Sequence, residues 1–224
     1  MTVEDAIAAL EAAGDETRAT EAAAYHKAPR RYLGVPVPVI TALAQDWRAN
    51  LDVPGRVALA DALWRTDIHE ARVAAAKLLM QARIRDDGPV WELIASWVPA
   101  FDGWAIADHV SDAGGRRLVA EPSRIAQLED WIGADNLWTR RTALVMTLPW
   151  TKQNHPTEQD LAIRERVLSW AAVLVSDPEW LIQKAVASWL RELSKHDPAR
   201  VSDWLKAHGG PSKPFTRKEA AKYL

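Results

Sequence analysis

A chain of 224 residues with 48% hydrophobic and 26% charged residues can bury a sizeable core, and it has no cysteine, which excludes disulfides, thiol nucleophiles, iron–sulfur clusters and cysteine-ligated zinc. Its net charge of −2 gives no overall bias toward polyanions. Neither a membrane-length apolar run nor a basic and apolar leader opens the sequence, so a cytoplasmic protein is expected, with residues 1–224 forming one domain and acting as a monomer.

In chain order, the first segment is acidic. Residues 1–24 carry Glu4, Asp5, Glu11, Asp15, Glu16 and Glu21 against Arg18 alone. Beyond it, apolar residues recur at helical spacing and no alternating strand appears, so the class is all-α, with roughly a dozen helices of about 10 to 18 residues. Pro36, Pro54, Pro89, Pro122, Pro156, Pro178 and Pro198 each precede an apolar-periodic run, and Asp177 and Asp197 stand directly before two of them, as helix starts require. Ile68, Ala71, Ala75, Leu78, Leu79 and Ala82 form one stripe, for which Asp67 with Glu70 three residues on predicts a capping-box start. Many medium helices in series pack most simply as antiparallel pairs stacked into a solenoid.

The run GWAIADHVSDAGG from Gly103 carries the first candidate chemistry. As a helix, it gathers Ile106, Ala107, Val110 and Ala113 on a buried stripe, and Trp104, Asp108, Ser111 and Asp112 on another face. Trp104 and Asp108 are one turn apart, so an indole and a carboxylate share one space away from the core. Most of the twelve tryptophans, among them Trp47, Trp64, Trp91, Trp97, Trp131, Trp170 and Trp189, sit among apolar neighbours and are expected in the core.

In NLWTRRTALVMTL from Asn136, Leu137, Leu144, Val145 and Leu148 define the stripe; Arg141 falls within it and Arg140 beside it. An inward guanidinium needs an anionic partner, either a phosphate or a carboxylate. The clearest helix begins at Leu181, where Ile182, Ala185, Val186, Trp189, Leu190 and Leu193 form the stripe and Gln183, Lys184, Arg191 and Glu192 lie off it. Residues 181–224 carry nine bases against four acids, with Lys213, Arg217, Lys218 and Lys222 bunched at the end. His26, His69, His109, His155, His196 and His208 show no close ligand spacing, so no metal is expected.

Taken together, YLGVPVP from Tyr32, LWRTDIHEARVAAAKLLM from Leu63, WAIAD from Trp104, NLWTRRTAL from Asn136, LIQKAVASWLRE from Leu181 and the terminal TRKEAAKYL make the chain resemble the AlkD-like DNA alkylation-repair glycosylases. The resemblance implies an α-solenoid of HEAT-like repeats whose concave face holds duplex DNA carrying alkylated bases. It also implies roles: Asp108 as the catalytic carboxylate, Trp104 against the sugar–phosphate backbone at the lesion, and Arg141 on a DNA phosphate. Arg140, Lys184, Ser188 and Lys218 complete the expected DNA-contacting set. At Ser188 the chain departs from the family pattern, which carries a second backbone-contacting tryptophan there; Trp189, one residue later, turns onto the core stripe.

The activity implied is hydrolysis of the N-glycosidic bond of cationic adducts such as 3-methyladenine and 7-methylguanine, with no metal or cofactor. A non-catalytic helical-repeat protein that binds damaged or branched DNA is the alternative. A third is a protein-interaction solenoid in which exposed tryptophans anchor a peptide.

Overall fold

The computed structural model describes residues 1–224 and contains thirteen α-helices and no strand. The chain divides into two compact units, Met1–Ala120 and Glu121–Leu224. No helix is long and apolar enough to cross a membrane.

The first unit holds α1 (Val3–Ala12), α2 (Glu16–His26), α3 (Val37–Ala49), α4 (Val53–Arg65), α5 (His69–Leu79), α6 (Gly88–Trp97) and α7 (Trp104–Ala120). Helix α5 lies at its centre, packed against α3, α4 and α7. Its alanines Ala71, Ala74, Ala75 and Ala76 are fully buried, and such short side chains let three neighbours approach one helix closely. The predicted stripe is thus one side of a helix buried nearly all round, and it ends at Leu79, leaving Ala82 exposed beyond it.

The capping-box start expected for this helix is not what forms. Ile68 occupies the cap position without a side-chain bond, and Asp67 takes a left-handed conformation at φ 53°. Glu70 instead turns inward and accepts hydrogen bonds from the backbone N–H groups of Leu33 (2.9 Å) and Gly34 (2.8 Å). The YLGVP stretch ahead of α3 forms no ladder of its own, and buried Glu70 satisfies two of its donors. Leu33 also accepts from Asp15 N–H at 2.9 Å, and Arg31 accepts from His69 N–H at 3.0 Å. Gly34 has φ 75°, and a Cβ there would lie 2.1 Å from the Asp15 carbonyl oxygen, so only glycine fits. Replacing Glu70 by Gln keeps the shape but turns an NH2 toward one of the two donors. This is expected to cost about 2 to 3 kcal/mol, read as a lowered urea midpoint.

Two arginines tie down helix ends in the same unit. Arg48 donates to the Met80 carbonyl at 2.7 Å, just past the end of α5. Arg117 of α7 is fully buried, pairs with Asp87 at 2.7 Å, and donates to the carbonyls of Gln81 and Ala82.

The second unit holds α8 (Glu129–Ile132), α9 (Leu137–Met146), α10 (Glu158–Leu174), α11 (Trp180–Ser194), α12 (Pro198–His208) and α13 (Pro214–Ala220), with 3-10 turns at Pro122–Leu128 and Leu148–Lys152. Helix α11 is central here, packed against α9, α12 and α13. Its predicted stripe is buried, and the Trp189 indole donates to Thr147 Oγ1 at 3.2 Å. Gln183, expected off the stripe, is buried as well, because the C-terminal segment covers that flank: its carbonyl accepts from Thr216 Oγ1 (2.8 Å) and its NH2 donates to the carbonyls of Val175 and Asp177.

The proline starts divide into three groups. Pro54, Pro89 and Pro198 enter the first turns of α4, α6 and α12, with Asp197 capping Arg200 N–H at 3.1 Å. Pro36 is itself the cap residue of α3, and Pro122 opens a 3-10 turn. Pro156 and Pro178 stand two residues ahead of their helices, with Thr157 and Glu179 as the caps.

Candidate functional site

The sequence places Trp104 and Asp108 on α7, and the helix presents them as its spacing requires. Ile106, Ala107, Val110 and Ala113 are buried, Trp104 is 42% exposed, and Asp108 one turn on is half-buried. Ser111, assigned to the outer face, is buried, its hydroxyl donating to the Ala107 carbonyl at 2.6 Å.

The entry into α7 is held from below. Phe101 packs against Trp64 at 6.1 Å between ring centroids, and Asp102 accepts from Arg30, whose side chain is almost fully buried. Arg30 also lies 3.5 Å from Asp67, which pairs with Arg72 at 3.1 Å, and the Arg72 guanidinium sits over the Trp64 ring. Trp104 therefore begins a helix whose start is anchored to the loops before α3 and α5.

Around Trp104 the first unit brings together residues that the sequence leaves scattered. His26 lies 5.6 Å from the Trp104 ring, stacks on His69 at 4.5 Å, and His69 in turn stacks on Tyr32 at 4.9 Å. Tyr25, 69% exposed, meets Trp104 edge-on at 6.1 Å. Of these rings His26, His69 and Trp104 line a cavity of about 480 Å³, together with Val35, Pro36, Val37, Glu70 and His109 of α7. Helices α2, α5 and α7 each supply one histidine, at separations no linear motif reports.

Burial lowers the pKa of all three imidazoles. The His69 pKa falls to about 3, through desolvation and then the neighbouring His26, Arg30 and His109. That of His109 falls to about 4, through desolvation and Lys77, against an opposing pull from Asp108. His26 is lowered for the same first reason. An imidazole that resists protonation only when folded leaves the unfolded chain with more bound protons below its ordinary pKa of 6.5. Stability is therefore level above about pH 6.5 and falls as the pH drops toward 4, each such histidine contributing a slope of at most about 1.4 kcal/mol per pH unit. Urea midpoints at pH 7 and pH 5 should show this, and His69→Asn should flatten the difference. The depressed carboxylates Glu165 and Glu192 titrate below this window.

In the second unit, three of the expected DNA-contacting residues meet in one groove of about 400 Å³: Lys184 and Ser188 of α11 and Lys218 of α13. Two aromatic residues complete it. Trp180 is 49% exposed, the Lys184 ammonium lies 4.9 Å from its ring centroid, and Phe215 is 5.7 Å away. Arg191 in the same groove is paired with Glu219 and Glu192. The sequence reading does not single out Trp180, although the test that found Trp104 applies to it: two residues before Ile182, it lies about 160° from the centre of the buried stripe.

Helix α9 presents its two arginines differently. Arg140 pairs with Asp177 at 3.0 Å and donates to the carbonyls of Ala134 (2.7 Å) and Asp135 (2.9 Å), so it carries a structural ion pair. Arg141 is half-buried. The buried face of α9 is Thr139, Thr142, Ala143, Leu144 and Met146, rotated from the predicted stripe of Leu137, Leu144, Val145 and Leu148, of which only Leu144 is fully covered.

A family model described as DNA alkylation repair enzyme matches residues 6–224. Among solved structures, the chain is similar to a predicted DNA alkylation repair enzyme from Enterococcus faecalis, with a TM-score of 0.76 and 24% identity over 94% of this chain and 96% of the other. It is also similar to AlkD2 from Streptococcus mutans, with a TM-score of 0.66 and 20% identity over 84% of this chain and 90% of the other. These likenesses establish a shared all-α, helical-repeat fold. No curated protein sequence matches the chain.

Proposed function

The chain belongs to the DNA alkylation repair enzyme family, and from that membership we propose that it is a DNA glycosylase that hydrolyses the N-glycosidic bond of positively charged alkylated purines in duplex DNA. The observation that carries this reading is the exposed Trp104 one helical turn from half-buried Asp108.

A purine alkylated at N3 or N7 already bears a positive charge, so it departs without protonation by a general acid. Positive charge then develops on the deoxyribose. A carboxylate 4 Å away attracts it by about 1 kcal/mol in water and about 4 kcal/mol at an effective dielectric of 20. Asp108 supplies that carboxylate and orients the attacking water, and the face of Trp104 supports the same cation while excluding solvent. The chemistry calls for neither metal nor cofactor.

Binding falls to the cations. Arg141 is the proposed phosphate contact on α9, and the groove of Lys184, Ser188 and Lys218 is a second contact, in which Trp180 offers the aromatic surface that Ser188 does not. Replacing Lys184 by Ala should reduce the slope of log affinity against log salt by about 0.9.

The deciding experiment is release of free 3-methyladenine and 7-methylguanine from N-methylated duplex DNA, with abasic sites accumulating in step. Ser188 favours a second reading, a protein that binds damaged or branched DNA without cleaving it. Salt-sensitive binding without base release would establish that reading and overturn the first.

A further inference from the structure

In the first unit, cations gather where no run along the chain reveals them. Arg48 of α3 donates to the carbonyls of Met80 (2.7 Å) and Lys77 (3.4 Å), Arg56 of α4 donates to the Gln81 side chain (2.6 Å), and Arg117 of α7 reaches the carbonyls of Gln81 and Ala82. Three helices thus send a guanidinium to the end of α5, whose last turn adds Lys77, and Arg116 stands next to Arg117. Burial, and then repulsion from Arg56 and Arg116, holds the Arg48 pKa below its ordinary value. Arg30, Arg65, Arg72 and Arg117 of this unit each meet a carboxylate. Arg48, Lys77 and Arg116 meet none.

These three cations share one side of the unit. Val37 of α3, Glu70 of α5 and Ala105 of α7 line the cavity that Trp104 also lines. Arg48, Lys77 and Arg116 follow them by eleven, seven and eleven residues. Such steps are close to whole numbers of turns, so each cation lies within about 20° of a residue that lines the cavity. A cation in the last turn of a helix also suits the helix dipole, but the dipole does not require three of them to lie on one side. Along α7, Arg116 is eight residues beyond Asp108, about 12 Å on the helix axis. Asp112, the acid between them, is exposed and forms no ion pair with Arg116.

We propose that Arg48, Lys77 and Arg116 form a seat for backbone phosphates of duplex DNA on the side of the first unit that carries Trp104 and Asp108. The inference rests on the reading of the chain as an enzyme of duplex DNA, and it gives the first unit a hold on the strand that is independent of the lesion. Gathered cations without a carboxylate repel one another. A row of phosphates relieves that repulsion and releases the counterions of the DNA. A guanidinium presents paired donors to phosphate oxygens, and the Lys77 ammonium acts as a point charge. The seat governs which sugar meets Asp108, so its members are positioning residues.

Lys77→Gln and Arg116→Gln remove charge from side chains that make no hydrogen bond within the fold. Fluorescence anisotropy with an undamaged duplex over a salt series should show the slope of log affinity against log salt reduced by about 0.9 in each variant and by about 1.8 in the pair. Arg116→Lys should keep the wild-type slope. Arg65→Gln, at an arginine already paired with Asp61 on α4, should leave it unchanged. On methylated duplex, the protein concentration giving half the maximal single-turnover rate should rise in the two Gln variants while the maximal rate holds, as loss of uniform binding requires. An unchanged slope in the double variant, an equal reduction in Arg65→Gln, or no binding of undamaged duplex by the wild type would each overturn the proposal. Base release that persists alongside such a result leaves the glycosylase reading intact. A reduced slope in a protein that releases no base defeats the glycosylase reading and leaves the phosphate seat standing.

Discussion

Asp108→Asn is expected to slow release of 3-methyladenine and 7-methylguanine by about 10²- to 10³-fold, since about 4 kcal/mol of attraction for the sugar cation corresponds to roughly three powers of ten in rate. The substitution keeps the size of the side chain and removes only its charge. Asp108 lies on a partly exposed face of α7, away from Ile106, Ala107, Val110 and Ala113, so the fold should tolerate the change. Affinity for undamaged duplex should hold or rise slightly, because a negative charge near phosphates is lost. A single-turnover rate equal to that of the wild type would remove Asp108 from the mechanism.

The largest expected loss of stability comes from Arg117→Met. Arg117 is fully buried, and its guanidinium serves the Asp87 carboxylate together with the carbonyls of Gln81 and Ala82, in the loop between α5 and α6. Removing it strips the charge partner from a carboxylate that is itself largely covered, a change that costs about 3 to 5 kcal/mol. Deleting both charges, as in Arg117→Met with Asp87→Leu, should restore much of that loss, because the desolvation penalty then disappears with the pair. Denaturant midpoints of the two variants against the wild type measure this. A double variant no more stable than the single one would show that the carbonyl contacts, and not the ion pair, are what matters.

How much of this was legible in the sequence differs from helix to helix. The stripes of α5 and α11 could be read directly, because a helix at the centre of a unit buries its apolar face whatever its neighbours are. Helix α9 could not, since Thr139 and Thr142 are buried in it while hydropathy favours Leu137 and Leu148. Glu70 stands three residues after Asp67, as a capping partner would, yet its partners are backbone amides at 33 and 34, a contact that only the folded chain supplies. The spacing of Trp104 and Asp108 was visible because both lie on one helix. The histidine wall was not, because His26, His69 and His109 come from three helices, and only their packing makes a surface. Trp180 is legible in principle, as the one tryptophan of its helix opposite the buried stripe, although the family pattern points to position 188 instead.

Helix α2 differs from α5 in a way that bears on the cavity they border. It buries none of its eleven residues, whereas α5 is enclosed on nearly every side. Local opening follows such differences: backbone amides of α2 are expected to exchange with solvent through low-energy fluctuations, and those of α5 only when the unit unfolds. The part of the lining carried by α2, with His26, is thus the yielding one, and the part carried by α5, with His69, the rigid one. Motion of this unit is expected to begin at α2 and to leave in place α5, against which the Asp108-bearing helix α7 packs.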